Sequence, residues 1–377
     1  MTLPFTFGAY VARRFVVSAL IMLTALTGLV ALFDFIELLR RAATRADAGF
    51  AEVSSIALLR VPFVALQVLP FAVLLGGILA FWRLSRSSEL VVARSAGISA
   101  WGFLAGPVLM AALLGGAATA GLSPLSSIML ARAEQLDALV LRNAPSSTTL
   151  AGGRLWLRQG DREIDPNGFA ILSGRPVAAR DAESIRDGGT FRLEEVSFWR
   201  LSSNDRFLGR IEAPRAVLRA GEWVLEGATA FGADRQPQPR RDLAFPTELT
   251  PDRIADSFAS PDTLSFWSLP EFIEVLDNSG FSSVRHRLHY QSLLSLPVLA
   301  VAMALLAAGF SMREARRGGV AGMLGAGVAA GFALFMLDRV TGEFGETGTL
   351  PVVLAAWAPA AAGLMCALAL LLHLEDG

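Results

Sequence analysis

Six long apolar stretches decide what this chain can fold into. Each is free of Asp, Glu and Arg, and a helix needs about 20 apolar residues to cross the hydrocarbon core of a bilayer. The chain is 53% hydrophobic and 18% charged, whereas soluble domains carry about 25% charged residues. We therefore predict an α-helical polytopic membrane protein with six transmembrane helices. The predicted spans are residues 15–33, 61–82, 95–131, 288–312, 318–337 and 347–374.

The side-chain inventory excludes several classes of function. All 33 basic residues are Arg, so the chain lacks the Lys that a phosphate-binding ATPase loop requires. Cys366 is the only cysteine, so no internal disulfide can form. A net charge of −1 argues against a nucleic-acid partner. The chain contains no zinc-protease or serine-hydrolase motif, so we expect neither an enzyme nor a catalytic residue.

Two histidines have the spacing of metal ligands. His286 and His289 can share one helix face, but no third ligand stands nearby in the sequence. A polar flank where the chain enters the membrane is the favoured interpretation. We therefore predict no metal and no cofactor in this chain.

Arginine counts in the short loops predict the orientation. With a cytoplasmic N-terminus, the inner side holds eight arginines and the outer side five, which favours cytoplasmic positions for both termini. The first apolar stretch follows two arginines, as in a signal peptide, but no small-residue cleavage site follows it, so we predict an uncleaved anchor. The inner arginines are Arg13, Arg14, Arg83, Arg86, Arg94, Arg313, Arg316 and Arg317, and the outer ones are Arg40, Arg41, Arg45, Arg60 and Arg339.

Residues 132–287 have the composition of a soluble domain, and the orientation places them in the periplasm. Short segments of mixed polarity separated by turn signals predict an all-β sandwich or jelly-roll-like domain. Ser268 and Glu271 have the spacing of a capping box, which predicts a closing helix over residues 268–280. The predicted strands include residues 154–158, 191–199, 216–219 and 222–226, with a bulge at Glu194 and Glu195 and turns at residues 187–189 and 220–221.

The chain therefore divides into three parts. Residues 1–131 hold three spans, residues 132–287 form the β domain, and residues 288–377 hold the other three spans. The third span is longer than a bilayer requires, so we expect it to protrude outward toward Arg132. Pro107 and Pro124 can bend or end it.

The inner loop at residues 83–97 predicts a short helix on the cytoplasmic side. Ser87 suits its N-cap, Glu89 lies in its first turn, and Gly97 suits its end. In one interpretation Glu89 only complements the helix dipole, for about 0.3–1 kcal/mol. In the other, the segment docks a cytoplasmic motor, and Glu89 meets a basic residue of that partner. The coupling residues would then be Arg86, Glu89, Leu90 and Arg94.

The membrane segments resemble a known family. The motifs that carry the resemblance are residues 69–77 (LPFAVLLGG), 88–92 (SELVV), 95–97 (SAG), 337–339 (LDR), 350–351 (LP) and 357–359 (WAP). Together they are similar to the LptF/LptG permeases of lipopolysaccharide export, and more similar to the LptG type. The resemblance extends over essentially the whole chain.

The resemblance implies an ABC-transporter permease subunit in the inner membrane of a Gram-negative bacterium. Such a subunit pairs with a second LptF/LptG-type permease, a dimeric LptB-like ATPase that binds ATP, and an LptC-like periplasmic bridge protein. It would extract lipopolysaccharide and pass it toward the outer membrane. Glu89 falls on the family's coupling-helix glutamate, which favours the docking interpretation. The alternative function is a membrane-anchored binding or assembly module without transport activity.

Four further residues are candidates for contacts with the cargo or for gating. Arg40 and Arg41 follow the first span, and guanidinium groups bind phosphate in bidentate fashion. With Arg132 they are candidate contacts for anionic groups of the glycolipid, although Arg41 can instead pair with Glu37 at i, i+4 spacing. Asp338 stands at the edge of the fifth span, where it is either a gate residue or a solvated cap.

Overall fold

The chain folds into a helical unit and a β unit. The helical unit comprises Met1–Leu141, Pro261–Leu269 and Val284–Gly377, and the β unit comprises Arg142–Ser260 and Pro270–Ser283. The β unit therefore lies inside the predicted insertion. The computed structural model describes residues 3–43, 49–87, 89, 92, 95, 100–142, 148–151, 154–161, 168–177, 191–202, 206–219, 221–232, 236–247, 254, 260–278, 282–311 and 320–375.

The helices of the described residues are longer than the apolar stretches that predict them. Their bounds are α1 (Leu3–Ala42), α2 (Phe50–Arg86), α3 (Ala100–Ala117), α4 (Ser123–Asp137), α5 (Leu269–Asn278), α6 (Val284–Ser311), α7 (Val320–Glu346) and α8 (Val352–Glu375). Short π-helical turns follow α3 at Ala118–Leu122 and α4 at Ala138–Arg142, and a 3₁₀ turn lies at Pro261–Thr263. The 40 residues of α1 extend about 60 Å, twice the thickness of a bilayer core of about 30 Å.

Five helical segments of the described chain are long and apolar enough to cross a membrane. They are Thr6–Ala42, Phe50–Arg86, Trp101–Val140, Val284–Ser311 and Val352–His373. These candidate segments coincide with five of the six predicted spans. The remaining span, residues 318–337, coincides with α7 from Val320 onward, and its membrane crossing stays a prediction.

The third span continues past Arg132, as predicted. A π-helical turn precedes Pro124, which has no N–H to donate, and such turns loosen the regular hydrogen bonding of a helix. Within this turn the Thr119 hydroxyl donates to the Leu293 carbonyl on α6 over 2.8 Å. The turn therefore connects the third span to α6 through a buried hydrogen bond.

Tyrosine and tryptophan mark the two ends of the helical unit. Both of the two Tyr and four of the seven Trp of the chain lie near helix ends in this unit. Such residues are enriched at the two membrane–water interfaces, so their positions agree with a membrane crossing between them. The inner end, where α1 begins and α2 ends, carries Tyr10, Trp82 and Trp101, and the outer end carries Trp267, Tyr290 and Trp357.

Helices α1 and α2 pack backbone against backbone at Gly76. A Cβ atom at this position would lie 2.5 Å from the Ala19 Cα atom and 2.8 Å from the Ser18 carbonyl oxygen. One turn away, the rings of Phe15 and Phe81 pack at 6.1 Å between centroids. Gly76 therefore sets the distance between the first two spans.

We expect Gly76→Val to destabilise the helical unit, because the backbone of α1 occupies the space a larger side chain needs. Overpacking a tight site costs about 1–3 kcal/mol. The matched control is Gly116→Val on α3, where a Cβ has open space. Thermal unfolding of the detergent-solubilised protein should show a lower midpoint for the first variant only, and equal midpoints would contradict this account of the packing.

The β unit is built on one antiparallel sheet. Its strands are β1 (Thr148–Ala151), β2 (Arg154–Gly160), β3 (Phe169–Val177), β4 (Phe191–Leu201), β5 (Phe207–Arg219), β6 (Glu222–Phe231) and β7 (Arg241–Pro246). They neighbour one another in sequence order. The described strands thus form a meander, and the crossing connections of a jelly roll are not found among them.

The sheet is rolled, so that its second and seventh strands meet at one end. Gln159 on β2 donates to the Pro246 carbonyl over 3.4 Å and accepts from the Thr247 hydroxyl over 2.9 Å. Beside these bonds, the Arg200 guanidinium holds the buried Asp161 carboxylate, with Nη2–Oδ1 at 2.6 Å. A polar cluster therefore closes one end of an otherwise apolar interior.

The interior face of the sheet carries the core of the β unit. The side chains of Leu155, Leu172, Phe198, Trp223 and Leu225 are essentially fully buried there. Helix α5 covers part of this core with Leu276 and Phe272. The closing helix predicted over residues 268–280 is thus confirmed as α5, and the Ser268 hydroxyl at its start donates to the Ser265 carbonyl over 3.0 Å.

Two local predictions within the sheet are confirmed. Glu195 is a bulge residue with φ 51°, a conformation that is costly for a residue with a Cβ. Arg154 holds it by bonding both its carboxylate at 3.0 Å and its carbonyl at 2.6 Å. Gly221, with φ +86°, forms the tight turn between β5 and β6. The turn predicted at residues 187–189 lies outside the described residues.

Candidate functional site

The inner loop after α2 places Glu89 next to the end of that helix. Ser87 follows the last residue of α2, and its amide donates to the Arg83 carbonyl over 3.0 Å. The Ser87 hydroxyl, which the sequence suggests as an N-cap, lies 2.9 Å from the Glu89 carboxylate. This contact orients the half-buried Glu89 side chain beside the inner end of the second span.

Three described positions of this loop are helical, and their spacing of three residues is that of neighbours on one helix face. Glu89, Val92 and Ser95 are helical, and residues three apart are neighbours on a helix surface. Val92 is exposed on this face. The coupling candidates Leu90 and Arg94 lie outside the described residues. The face therefore offers an apolar and an acidic contact at the inner end of the helical unit.

Arginines beside this loop stack on interfacial aromatic rings. The guanidinium of the coupling candidate Arg86 lies 5.5 Å from the Trp82 ring centre, and that of Arg14 lies 5.2 Å from the Tyr10 ring centre. Arg13 and Arg83 are exposed nearby on the same two helices. The end of the helical unit where α1 begins and α2 ends is thus basic.

At the outer end of α1, two candidate cargo contacts converge on one carboxylate. Arg40 forks onto Glu37 with two 2.8 Å bonds, and Arg41 bonds the same carboxylate at 3.0 Å. The i, i+4 pair of Glu37 with Arg41 is therefore confirmed, and Arg40 joins it. The side chains of Arg40 and Arg41 remain 74% and 51% exposed. A phosphate group would reach them from solvent but would compete with Glu37.

The other two candidates stand apart from this cluster. Arg132 is exposed on α4 and donates to the Gln135 side chain over 3.2 Å. Asp338 is exposed on α7, and the guanidinium of its neighbour Arg339 lies 5.6 Å from the Phe335 ring centre. The contacts described for Arg132 and for Arg339 are with side chains of their own helices, so geometry joins neither Arg132 nor Asp338 to Arg40.

An ion cluster that the sequence reasoning missed links three helices at the outer end. Arg60 on α2 donates to Asp34 on α1 over 3.2 Å, and its Nη2 lies 3.8 Å from Asp137 at the end of α4. The side chain of Arg60 is 19% exposed and that of Asp137 only 2%. The apolar side chains of Leu38, Val53 and Ile56 pack around this end of the helices.

The ion cluster was hidden because sequence reasoning counts Asp34 and Arg60 as loop charges. The helices continue beyond the apolar stretches, so both residues lie on helix surfaces that face each other. One signal could have revealed the site. Arg60 interrupts an apolar run of α2, and an ionisable residue in such a place usually has a partner.

The two histidines do not converge with other metal-binding groups among the described residues. Within that part of the chain no group of three or more His, Cys, Asp and Glu side chains could hold a metal ion. His289 instead points Nδ1 toward Asp262 at 3.3 Å, and His286 is buried at the start of α6. Their placement near the outer end of α6 agrees with the polar flank that the sequence favours.

Comparisons with known proteins show a family likeness over nearly the whole chain. The family model described as "Lipopolysaccharide export system permease LptF/LptG" matches residues 9–373. The chain is 25% identical over 376 residues to the lipopolysaccharide export system permease protein LptG of Escherichia coli K12, covering 95% of this chain and 94% of the relative. It is 21% identical over 370 residues to the protein of the same name from Haemophilus influenzae, with 94% of each chain covered.

Proposed function

The chain belongs to the LptF/LptG family of lipopolysaccharide export permeases, and we propose that it is the permease subunit of an ABC transporter that extracts lipopolysaccharide from the inner membrane. The observation that carries the proposal is the family match over residues 9–373. Its relatives are permeases, so the chain is a transport component and not an enzyme. The β unit would lie in the periplasm and both termini in the cytoplasm.

A separate ATPase would power this permease through the inner loop. The chain has no Lys, so the nucleotide site belongs to an LptB-like dimer. Glu89 would meet a basic residue of that dimer, with Arg86, Leu90 and Arg94 around it. The contact of the Glu89 carboxylate with Ser87 supports this role, because it ties the docking residue to the end of α2.

A second LptF/LptG-type permease would pair with the exposed flank of the helical unit. In an 18-residue apolar stretch of α1 only 22% is buried, whereas 61% of the corresponding stretch of α2 is buried. Phe33 and Ile36 are among the exposed apolar side chains of α1. A face of this kind must meet either lipid or another membrane helix, and we assign part of it to the partner permease.

The glycolipid would leave the membrane along the outer end and the β unit. Exposing acyl chains to water costs about 0.8 kcal/mol per CH₂ group, so a covered apolar route is strongly favoured over release into solution. Arg40, Arg41 and Arg132 would contact anionic groups of the cargo, and Asp338 would act in gating. An LptC-like bridge protein would receive the cargo from the transporter.

Co-purification tests this assignment. An affinity-tagged chain, extracted from its own membranes in mild detergent, should bring with it a second six-span permease, a nucleotide-binding subunit and lipopolysaccharide. Mass spectrometry identifies the proteins and the lipid. A chain that purifies with periplasmic proteins but without any nucleotide-binding subunit would support the binding-module alternative and contradict transport.

A further inference from the structure

The outward face of the β sheet carries two stacked tryptophans among arginines. We propose that this face binds the anionic saccharide portion of the transported glycolipid, while the apolar interior serves the acyl chains. The proposal rests on the proposed function for the identity of the cargo. It assigns the saccharide a separate contact surface on the opposite side of the same sheet.

Trp156 and Trp199 form what we call the indole platform. Trp156 lies on β2 and Trp199 on β4, and their rings stack across β3 with centroids 5.6 Å apart and an interplanar angle of 7°. They cover Ser173, which faces outward on β3 in register with Trp156 but is only 1% exposed. Trp156 itself is 38% exposed, so the platform presents an indole surface to solvent.

The platform lies on the face opposite the core. The strand neighbours of Trp156, Leu155 and Leu157, point to the other side of β2 and are essentially fully buried. Alternate residues of a strand point to opposite faces of a sheet. Acyl chains would favour the interior, so a ligand of the platform would have a different chemistry.

Arginines flank the platform along one row of the sheet. The register aligns Arg158 with Ile171, Ile171 with Trp199, and Trp199 with Arg210. The Arg210 guanidinium lies 5.6 Å from the Trp199 ring centre, and that of Arg158 lies 3.9 Å from the Phe169 ring centre. The Arg210 guanidinium is therefore held against an indole, and that of Arg158 is held over Phe169 on the same face of the sheet.

The charge of this face is positive. Glu195 pairs with Arg154 and Arg175, and Glu212 pairs with Arg210. Among the described residues no carboxylate pairs with Arg158, which is exposed. Four arginines stand against three glutamates around the platform once Glu194, the register partner of Arg175, is counted, which leaves a net charge of +1. An anionic ligand is therefore favoured here, and Arg158 is the guanidinium best placed to bind it.

A saccharide that carries anionic groups can contact both the indole rings and the arginines of this surface. The negative face of an indole ring attracts the C–H groups of a sugar ring, and guanidinium groups bind phosphate or carboxylate through paired hydrogen bonds. A neutral sugar would use only the indoles, and a free phosphate only the arginines. The combination points to a saccharide with attached anionic groups.

Isothermal titration of the full chain in nanodiscs tests the proposal. The probe is the phosphorylated oligosaccharide obtained by removing all acyl chains from lipopolysaccharide. Its dephosphorylated form and inorganic phosphate are the two comparison ligands. We expect the intact probe to bind at least about tenfold more tightly than either, because it makes both sets of contacts.

Two substitutions locate the binding. Arg158→Gln and Trp156→Ala should each weaken binding of the probe by about tenfold, and Arg158→Gln should leave the unfolding temperature unchanged. The matched controls are Arg219→Gln at the far end of β5 and Trp267→Ala in the helical unit, both exposed. Wild-type affinity in both test variants, or no binding by the wild-type chain, would overturn the proposal.

The proposed function and the saccharide-binding surface are tested by different measurements, so each can fail without the other. Titration with the oligosaccharide requires neither ATP nor a partner chain, whereas export requires both. A chain that supports export but binds no oligosaccharide overturns this inference alone. If the chain binds the oligosaccharide but does not carry out export, the saccharide-binding surface is supported and the proposed function is overturned.

Discussion

A chain carrying Glu89→Arg is expected to insert and fold normally but to release no lipopolysaccharide when ATP is supplied. The substitution places a positive charge opposite the basic partner residue that the docking interpretation requires, and like charges at an interface cost several kcal/mol. Several kcal/mol would reduce occupancy of the docked state by more than about a hundredfold. ATP-driven release from proteoliposomes that contain the whole transporter measures the effect.

The matched control is Glu52→Arg, which makes the same charge change at an exposed position in the first turn of α2. This control should retain release. A reversed charge on the partner's basic residue should restore release to the Glu89→Arg chain. Normal release from the Glu89→Arg chain would exclude the docking role and leave only the helix-dipole interpretation.

A chain carrying Arg60→Met is expected to lose about 3–5 kcal/mol of stability, because removing one member of a buried ion cluster leaves the others uncompensated. Asp137 is the most buried member, and Arg60 also bonds Asp34 on α1. The outer ends of α1, α2 and α4 should separate, so unfolding in detergent should begin at a much lower temperature.

Variants that remove the charges of the ion cluster distinguish the effect of its charges on stability from the effect of its packing. The triple variant Asp34→Asn, Arg60→Met, Asp137→Asn removes all three charges and should recover most of the lost stability. Arg132→Met, an arginine exposed on α4, should change stability by no more than about 0.5 kcal/mol. If Arg60→Met unfolds at the same temperature as Arg132→Met, the ion cluster does not hold the three helices together.

The spans could be predicted from the sequence, because exposing a long run of apolar side chains to water is costly. Their ends were not, since a helix forms its backbone hydrogen bonds whatever its side chains face. Helix α1 therefore starts before Arg13 and passes Arg40, beyond both limits of its apolar run. The same continuation brought Arg60 to Asp34, a contact between residues 26 positions apart that no local pattern predicts.

In the β unit, too, features set by neighbouring residues could be predicted, whereas features set by contacts between distant residues could not. Alternation of polarity predicted β2 and β4, and the paired glutamates predicted the bulge at Glu195. The rolling of the sheet depends on contacts such as that of Gln159 with Thr247, which are 88 positions apart. In the sequence, Trp156 and Trp199 lie on two separate predicted strands, and only the fold places their rings side by side.

The most direct test of the proposed function is whether lipopolysaccharide passes through the β unit while the ATPase subunit hydrolyses ATP. A photo-crosslinking residue in place of Leu243, which packs against the core from β7, samples that route in the reconstituted transporter. We expect crosslinks to lipopolysaccharide that require both the ATPase subunit and ATP. Crosslinks that form equally without ATP, or export without any crosslink at this position, would contradict the proposed function.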